Sequence, residues 1–143
     1  MIAQNTVSTD EIVLTAADFD RLQGLLDSPA YRSTHAPVLL ALREELYRGQ
    51  IVAPDAVPRS VVTMHSQVRV RDLKTKESDT FILVYPGQAD INENKLSVLA
   101  PLGMALLGTR VGQIVKFDAP AGQRRLKIEK ILYQPEASGD FHL

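Results

Sequence analysis

Residues 95–108 read KLSVLAPLGMALLG. In this stretch proline and glycine residues mark the expected start and end of a helix more clearly than anywhere else in the chain. Pro101 suits the first turn of a helix, where its missing N–H costs no hydrogen bond. Gly108 suits the position just after a helix, where a left-handed backbone conformation is common. The stretch therefore predicts a short strand, then a helix over residues 101–107, then a stop at Gly108 and a second strand.

Around this stretch the apolar residues alternate with the period of two that strands show. The predicted strands are residues 68–71, 80–85, 114–118 and 124–133. In the last of them Leu126 and Ile128 share one face, whereas Ile131 and Tyr133 share the other. A β-bulge near Lys130 that returns all four side chains to the core, or burial on both faces, explains this pattern.

Before residue 54 the apolar spacing changes to the three-and-four pattern of helices. Thr15 is the predicted N-cap of a first helix, which ends at Ser28-Pro29 because the residue before a proline avoids the helical conformation. A second helix is predicted over residues 34–48, with Gly49 as its stop. The two apolar stripes would meet in an antiparallel hairpin that resembles a short coiled coil. They are Phe19, Leu22 and Leu26 on the first helix and Leu39, Leu42 and Leu46 on the second.

Two prolines mark this change of period and predict a linker at residues 54–58. The predicted fold class is therefore α+β, with a tail and helical hairpin in residues 1–53 and a sheet domain in residues 59–143. The first ten residues and residues 134–143 are expected to form loosely held tails.

The composition of the 143 residues is that of an ordinary folded protein, with 45% hydrophobic and 23% charged residues. A net charge of −1 gives no global basic field for nucleic acid. The absence of cysteine excludes disulfides, thiolate catalysis and cysteine-bound zinc. We expect a cytoplasmic protein without membrane contact, because neither a signal-peptide pattern nor an apolar run of roughly 20 residues occurs.

Patterns typical of catalysis or metal binding are missing from the sequence. His35, His65 and His142 lie in different predicted elements and lack the spacing of metal ligands. Ser60 and Ser66 flank His65, but no acidic residue lies nearby in sequence to indicate a triad. The glycines do not form a phosphate-binding loop. We therefore predict no catalytic residue, no metal site and no cofactor.

Basic residues cluster in two predicted strands and allow two interpretations. If these strands are neighbours, the cations form a solvated face that is balanced by Asp72, Glu77 and Glu129, or a docking face for a nucleic acid or an acidic partner. Too few aromatic residues accompany them to indicate a base-stacking platform. The basic residues are Arg69, Arg71, Lys74, Arg124, Arg125, Lys127 and Lys130.

The tip of the predicted hairpin, residues 27–34, also has two interpretations. It is an exposed turn in which Tyr31 folds back over the helices, or it is a probe that enters the cleft of a partner. In the second case Asp27, Tyr31 and Arg32 form the binding surface, because aromatic and arginine side chains often dominate interfaces.

Residues 100–108 resemble the C-terminal motif of the Gre transcript-cleavage factors, in which a serine precedes Pro-Leu-Gly-x-Ala-Leu-Leu-Gly. The order of a helical hairpin before a small β-rich domain is also similar. A fuller resemblance, over residues 12–143, is to the regulators of nucleoside diphosphate kinase, the short-hairpin relatives of those factors. The stretches that carry it are residues 28–31 (SPAY), 61–64 (VVTM), 83–86 (LVYP), 95–112 and 133–137 (YQPEA).

This resemblance implies an FKBP-like C-terminal domain, in which a twisted antiparallel sheet packs against one short helix. It implies RNA polymerase as the partner, bound near the mouth of the secondary channel. Pro101, Leu102 and Met104 would then lie at the contact, and the alternative for Leu102 is a place in the core. It also implies an effect on nucleoside diphosphate kinase, either directly or through transcription.

Departures from the Gre pattern change the expected activity. The Gre tip carries paired acidic residues that help to hold a catalytic magnesium ion, whereas this tip offers Asp27 alone. The hairpin is also short, and Ala100 replaces the serine of the motif. We therefore predict a non-enzymatic regulator that modulates elongation or competes with Gre-type factors without stimulating transcript cleavage. A direct regulator of nucleoside diphosphate kinase is the alternative. A prolyl isomerase is a remote one, because the chain lacks the tryptophan of the FKBP pocket.

Overall fold

The computed structural model describes residues 12–141 and residue 143. Near the start of this part, two short strands lie on either side of the helices. The elements are β1 (Val13–Leu14), α1 (Ala16–Asp27), α2 (Pro29–Thr34), α3 (Ala36–Arg48) and β2 (Gln50–Ile51). β1 and β2 pair in parallel, so the chain enters and leaves the helical part side by side. The tail predicted for the first ten residues lies outside the described part.

Both predicted helices are present, with one addition between them. The Thr15 hydroxyl caps α1, because it accepts a hydrogen bond from the Asp18 backbone N–H at 3.2 Å. α1 ends before Pro29, as predicted. The connection that follows is not a loop, since it forms the six-residue helix α2 with proline at its first position. The next helix therefore begins at Ala36, two residues later than the sequence predicts.

A five-stranded sheet with the strand order β5-β4-β3-β7-β6 occupies the rest of the chain. Its strands are β3 (Gln67–Asp72), β4 (Ser78–Val84), β5 (Lys95–Ser97), β6 (Ile114–Ala119) and β7 (Gly122–Tyr133), with helix α4 (Pro101–Leu106) between β5 and β6. Helices followed by a sheet confirm the α+β class. The expectation of a wholly antiparallel sheet is wrong at one edge, where β4 and β5 pair in parallel because residues 85–94 carry the chain back before β5.

β7 contains two irregularities, and the first is the predicted bulge. The register with β3 skips Glu129, next to the predicted position at Lys130. A second shift skips Leu132 and brings Tyr133 into register with Gln67, on the face opposite the core. The bulge therefore returns three of the four apolar side chains to the core, and these are Leu126, Ile128 and Ile131.

The helices and the sheet share one hydrophobic core. Leu22 of α1 and Leu42 of α3 are fully buried in the same cluster as Val68 and Ile128 of the sheet. Complete burial of a side chain of this size stabilises the fold by about 1.5–3 kcal/mol. The apolar stripes of the helices therefore do not form a separate core, and the hairpin lies firmly against the sheet domain.

Two glycines of the stretch at residues 95–108 allow this close packing. A Cβ atom at Gly103 would lie 2.0 Å from the carbonyl oxygen of Ser97, so α4 runs directly against the end of β5. Gly108 has a φ of +80°, and its Cβ would lie 2.2 Å from Cγ2 of the buried Ile12. The predicted stop at Gly108 is confirmed. It is also the point at which the N-terminal segment contacts the sheet domain.

The residues after β7 are not a loose tail, which corrects the prediction for this segment. Gln134 Nε2 donates hydrogen bonds to the carbonyl oxygens of Pro58 (2.8 Å) and Val61 (2.7 Å). The Thr63 hydroxyl donates to Glu136 Oε1 at 2.7 Å, and both side chains are buried. These bonds satisfy polar groups that would otherwise be buried without partners, so this part of the chain is held firmly.

Candidate functional site

The tip of the hairpin holds two of its three predicted binding residues on the surface. Asp27 and Arg32 are exposed, with Arg32 Nη2 3.8 Å from Asp27 Oδ1. Arg32 Nε also donates to the carbonyl oxygen of Leu26 at 3.0 Å, near the end of α1. An exposed ion pair contributes at most about 1 kcal/mol. Both charges are therefore accessible to a partner at little cost.

Tyr31, the third residue of the tip, turns inward. Its ring is half-buried against the hydrophobic core and meets the His35 ring edge-on, with 5.8 Å between the ring centres. Of the two interpretations for Tyr31, this is the arrangement in which it folds back over the helices. A role for Tyr31 as an anchor in a partner requires its ring to leave this position.

The start of α4 divides the other three predicted binding residues. Pro101 is exposed and Met104 is half-buried. Leu102 is only 9% exposed and belongs to the core cluster, which is the alternative that the sequence left open for it. Pro101 and Met104 are therefore the accessible members of this set.

The two predicted surfaces are far apart in sequence but border the same helix. A groove of about 380 Å³ lies beside the tip, and another of about 370 Å³ lies beside α4. Ala36 and Leu40 line the first groove, whereas Pro37 and Ala41 line the second, so the grooves occupy adjacent flanks of α3. Leu40, in the first groove, is 57% exposed. One partner that covers the outer side of α3 would contact both surfaces.

A buried polar cluster joins α1 to the sheet domain. The Tyr85 hydroxyl donates a hydrogen bond to Asp18 Oδ1 at 2.7 Å, and Asp18 is only 2% exposed. Arg21 Nη1 lies 3.8 Å from the same carboxylate oxygen, and the Arg21 guanidinium lies 5.9 Å from the centre of the Tyr85 ring. The His65 ring is also close, with 5.6 Å between its centre and that of Tyr85.

Burial has the largest influence on the protonation of this cluster. Loss of water raises the pKa of Asp18 above its ordinary value, although the Tyr85 hydrogen bond opposes the shift. Burial and the neighbouring Asp18 charge raise the pKa of Tyr85 far above its ordinary value. Tyr85 therefore remains a hydrogen-bond donor at physiological pH, and its bond to Asp18 holds α1 on the sheet domain.

The polar cluster is the feature of the site that sequence reasoning missed. Asp18 and Tyr85 are 67 residues apart, so no local spacing shows that they meet. One signal was present, because Asp18 lies four residues before Leu22 and therefore on the buried side of its helix. A carboxylate in that position requires a hydrogen-bond donor from another part of the chain.

From residue 12 to residue 141, and at residue 143, no three His, Asp or Glu side chains are grouped so that they could hold a metal ion. None of the helices in this part of the chain is long and apolar enough to cross a membrane. Of the three histidines, His35 lies beside Tyr31 and His65 lies beside Tyr85. His142 is outside the described residues.

Two family models match the chain. The model for the C-terminal domain of the transcription elongation factors GreA/GreB matches residues 57–133, which include the stretch at 95–108. The model for the Rnk N-terminus matches residues 10–52. The chain belongs to the Rnk branch of the GreA/GreB family. The two models together match residues 10–52 and 57–133, so they account for both the helical hairpin and the sheet.

Individual relatives of both kinds are similar to this Rnk-type chain. The regulator of nucleoside diphosphate kinase of Escherichia coli (strain K12) is 40% identical over 138 residues, which cover 96% of this chain and 100% of that protein. Transcription elongation factor GreA of Thermodesulfovibrio yellowstonii (strain ATCC 51303 / DSM 11347 / YP87) is 34% identical over 93 residues, or 65% of this chain and 59% of the relative. These relatives are named as regulators or elongation factors and not as enzymes.

A solved structure supports the same fold. The GreA/GreB transcription elongation factor from Nitrosomonas europaea matches with a TM-score of 0.74 at 35% sequence identity. The match covers 86% of this chain and 98% of that chain. The shared fold therefore includes nearly all of the solved Gre-type chain.

Proposed function

We propose that this chain is a non-enzymatic regulator of transcription that binds RNA polymerase near its secondary channel. It modulates elongation or competes there with Gre-type factors, and it acts in the cytoplasm. The observation that carries the proposal is the match of residues 57–133 to the C-terminal domain of GreA/GreB. Family membership supports a shared partner by analogy, and the surface around α3 provides the physical argument.

The outer side of α3 has the composition of a docking surface. Leu40 and Met104 offer apolar area in the two grooves, and Arg43 and Lys116 contribute charge at their margins. Protein interfaces commonly combine an apolar centre with a polar rim. Docking against α3 would also bring the partner into contact with Pro101.

The tip supports binding without transcript cleavage. Mg²⁺ requires near-octahedral oxygen coordination and is usually held by one or two carboxylates together with substrate phosphates. Asp27 is the single carboxylate in residues 27–34, and the guanidinium of Arg32 lies 3.8 Å from it. This positive charge opposes binding of a cation. The 13 residues of α3 extend about 20 Å, so the tip also stays close to the sheet domain.

Retention on immobilised core RNA polymerase tests the proposal. The chain is expected to bind at moderate salt and to displace a Gre factor. Met104→Glu should weaken retention about ten-fold, because a charge in this groove loses its water when the partner docks. Ile91→Glu is the matched control, since Ile91 is 88% exposed at the start of a short 3₁₀ helix before β5 and lines neither groove. A wild-type chain that neither binds polymerase nor displaces a Gre factor contradicts the proposal.

A direct action on nucleoside diphosphate kinase is the second candidate, favoured by the name of the Escherichia coli relative. Phosphate transfer by the purified kinase is measured with and without an excess of this chain. A change in kcat or KM supports direct regulation. Unchanged rates, together with polymerase binding, favour an indirect route through transcription.

We also infer that residues 59–143 form the FKBP-like domain that the family resemblance implies, with residues 54–58 as the linker. Support comes from the five-stranded sheet and from α4, whose Leu102 and Leu106 side chains enter the core against that sheet. The chain contains no tryptophan, which FKBP isomerases use in their pocket. A prolyl-peptide isomerisation assay is therefore expected to show no turnover.

A further inference from the structure

One face of the sheet carries six basic side chains in adjoining rows. Strand register places each cation of one strand opposite a cation of its neighbour. The pairs are Lys116 with Arg125, Lys127 with Arg71, and Lys130 with Arg69. All six side chains are exposed, and together they are called the basic face below. Neighbouring strands lie about 5 Å apart and alternate residues of one strand about 7 Å apart, so the three pairs form one patch.

The stability of the fold does not explain this arrangement. Like charges directly opposite one another in a sheet repel and lower its stability. Alternation of acidic and basic residues would solvate the face equally well without that cost. The arrangement is instead favourable when a negatively charged ligand lies across the rows.

Asp72, one of the acidic residues expected to balance the basic face, is paired with Arg124 instead. Asp72 lies in register with the buried Leu126, on the core side of the sheet. Arg124 donates to its Oδ2 from Nη2 at 2.7 Å and from Nε at 3.0 Å. These bonds, with those from the backbone N–H groups of Lys74 and Thr75, hold the pKa of Asp72 below its ordinary value. Its charge is therefore not available to the basic face.

Few carboxylates remain near the rows. Glu129 lies 3.6 Å from Arg71 and accepts a hydrogen bond from the Ser78 hydroxyl at 2.8 Å. Asp118 stands near the end of β6, and Glu77 lies in the turn before β4. The six cations therefore keep an excess of positive charge, although the whole chain has a net charge of −1. Such a separation of charge orients the molecule toward a polyanion.

We propose that the basic face binds the phosphate backbone of nucleic acid. An acidic protein is disfavoured, because protein interfaces have an apolar or aromatic centre and are depleted in lysine. On the basic face the apolar Ile114 stands beside Lys127 on the edge strand β6, Leu132 lies near the end of β7, and aromatic rings do not stand between the paired cations. Phosphate contacts require only charge and hydrogen-bond donors. Of the six cations only Lys116 also lines a groove on α3, and the proposal does not depend on RNA polymerase binding.

Fluorescence anisotropy with labelled oligonucleotides tests the proposal. Wild-type chain is titrated against single-stranded DNA, single-stranded RNA and duplex DNA at several salt concentrations. The test variant combines Arg69→Gln, Lys127→Gln and Lys130→Gln, since none of these three side chains forms an ion pair within the described chain. The control variant combines Arg48→Gln, Arg59→Gln and Lys76→Gln, which removes the same charge from exposed positions elsewhere.

The expected result is wild-type binding that weakens steeply with salt. The test variant should bind single strands at least about ten-fold more weakly at low salt. Its slope of log K against log salt should fall by about 2, because each single-strand phosphate contact contributes about 0.7. The control variant should stay within about two-fold of the wild type. Circular-dichroism melting of both variants verifies that they fold.

Three results overturn the proposal. The first is the absence of wild-type binding to every oligonucleotide at low salt. The second is an equal loss of affinity in the test and control variants, which would show that only total charge matters. The third is tighter binding of the wild-type chain to poly-glutamate than to a single strand of equal charge, which would indicate an acidic protein as the ligand. A preference for RNA, single-stranded DNA or duplex DNA identifies the source of the phosphates and supports the proposal in each case.

Discussion

The two ends of the helical hairpin are built differently. At the base, the space around Gly108 is filled by the N-terminal segment, and a buried hydrogen bond joins Asp18 to Tyr85. At the tip, Asp27 and Arg32 form an exposed pair at 3.8 Å. The base therefore fixes the hairpin to the sheet domain, whereas the tip is held by weak contacts and stays available to a partner. Mutations should separate stability at the base from binding at the tip.

The largest expected effect comes from filling the space at the base. Gly108→Ala should lower the free energy of unfolding by about 3 kcal/mol, because a left-handed alanine costs roughly 1–2 kcal/mol and overpacking adds about 1–3 kcal/mol. Gly112→Ala is the matched control, since Gly112 has a φ of +96° in open space. Urea unfolding measures both variants. Equal losses would show that the contact with Ile12 does not contribute.

The second effect in size concerns the buried hydrogen bond. Tyr85→Phe should cost about 2 kcal/mol at neutral pH, because the Asp18 carboxylate loses its donor while it remains buried. Tyr47→Phe removes a hydroxyl from a side chain that is 79% exposed and should change stability by less than about 0.5 kcal/mol. Similar values for the two variants would show that the hydrogen bond from Tyr85 to Asp18 does not stabilise the base.

A smaller effect is expected in the pH dependence of stability. Because the folded chain binds the Asp18 proton more tightly than the unfolded chain, Asp18 lowers stability as the pH rises from its ordinary pKa of 3.8 through the raised folded value. Asp18→Asn keeps an acceptor for Tyr85 but does not titrate. The stability of the variant relative to the wild type should therefore increase across this window. Unfolding at pH 3 to 7 measures the difference, and a constant difference contradicts the raised pKa.

The smallest change in stability is expected at the tip. Arg32→Gln and Asp27→Asn should each alter the free energy of unfolding by less than about 0.5 kcal/mol, because exposed ion pairs contribute little. Arg32→Gln should nevertheless weaken polymerase retention several-fold if the tip contacts the partner. Thermal melting and retention are measured on the same samples. A stability loss above about 1 kcal/mol would show that the tip, like the base, is structural.

The elements of this fold that were predictable from sequence are those with local signals. The cap at Thr15, the proline that ends α1 and the glycine at 108 each act within a few residues, and the structure confirms all three. The six-residue helix α2 is too short for a periodic pattern to reveal it. Burial of Gln134 depends on hydrogen bonds to Pro58 and Val61, 76 and 73 residues away, which no local pattern can show.

The candidate site was predictable only as separate pieces. Spacing and family resemblance indicated the tip and the start of α4, but not that both border α3. The same limit applies to Leu102, since an apolar residue in the first turn of a helix is equally consistent with an interface and a core. Packing from other parts of the chain decides between the two, and here it buries Leu102.

The parallel pairing of β1 with β2 has a consequence for variation in this family. The Gln50 backbone N–H donates to the Ile12 carbonyl at 2.9 Å and that of Val52 to the Leu14 carbonyl at 3.0 Å, so both ends of the helical segment are fastened together. Lengthening a closed segment costs only about 0.6 kcal/mol for each doubling. A longer helical hairpin can therefore be inserted between β1 and β2 without disturbing the sheet domain. The length of the helical hairpin and the binding surface of the sheet domain are thus able to change independently in evolution.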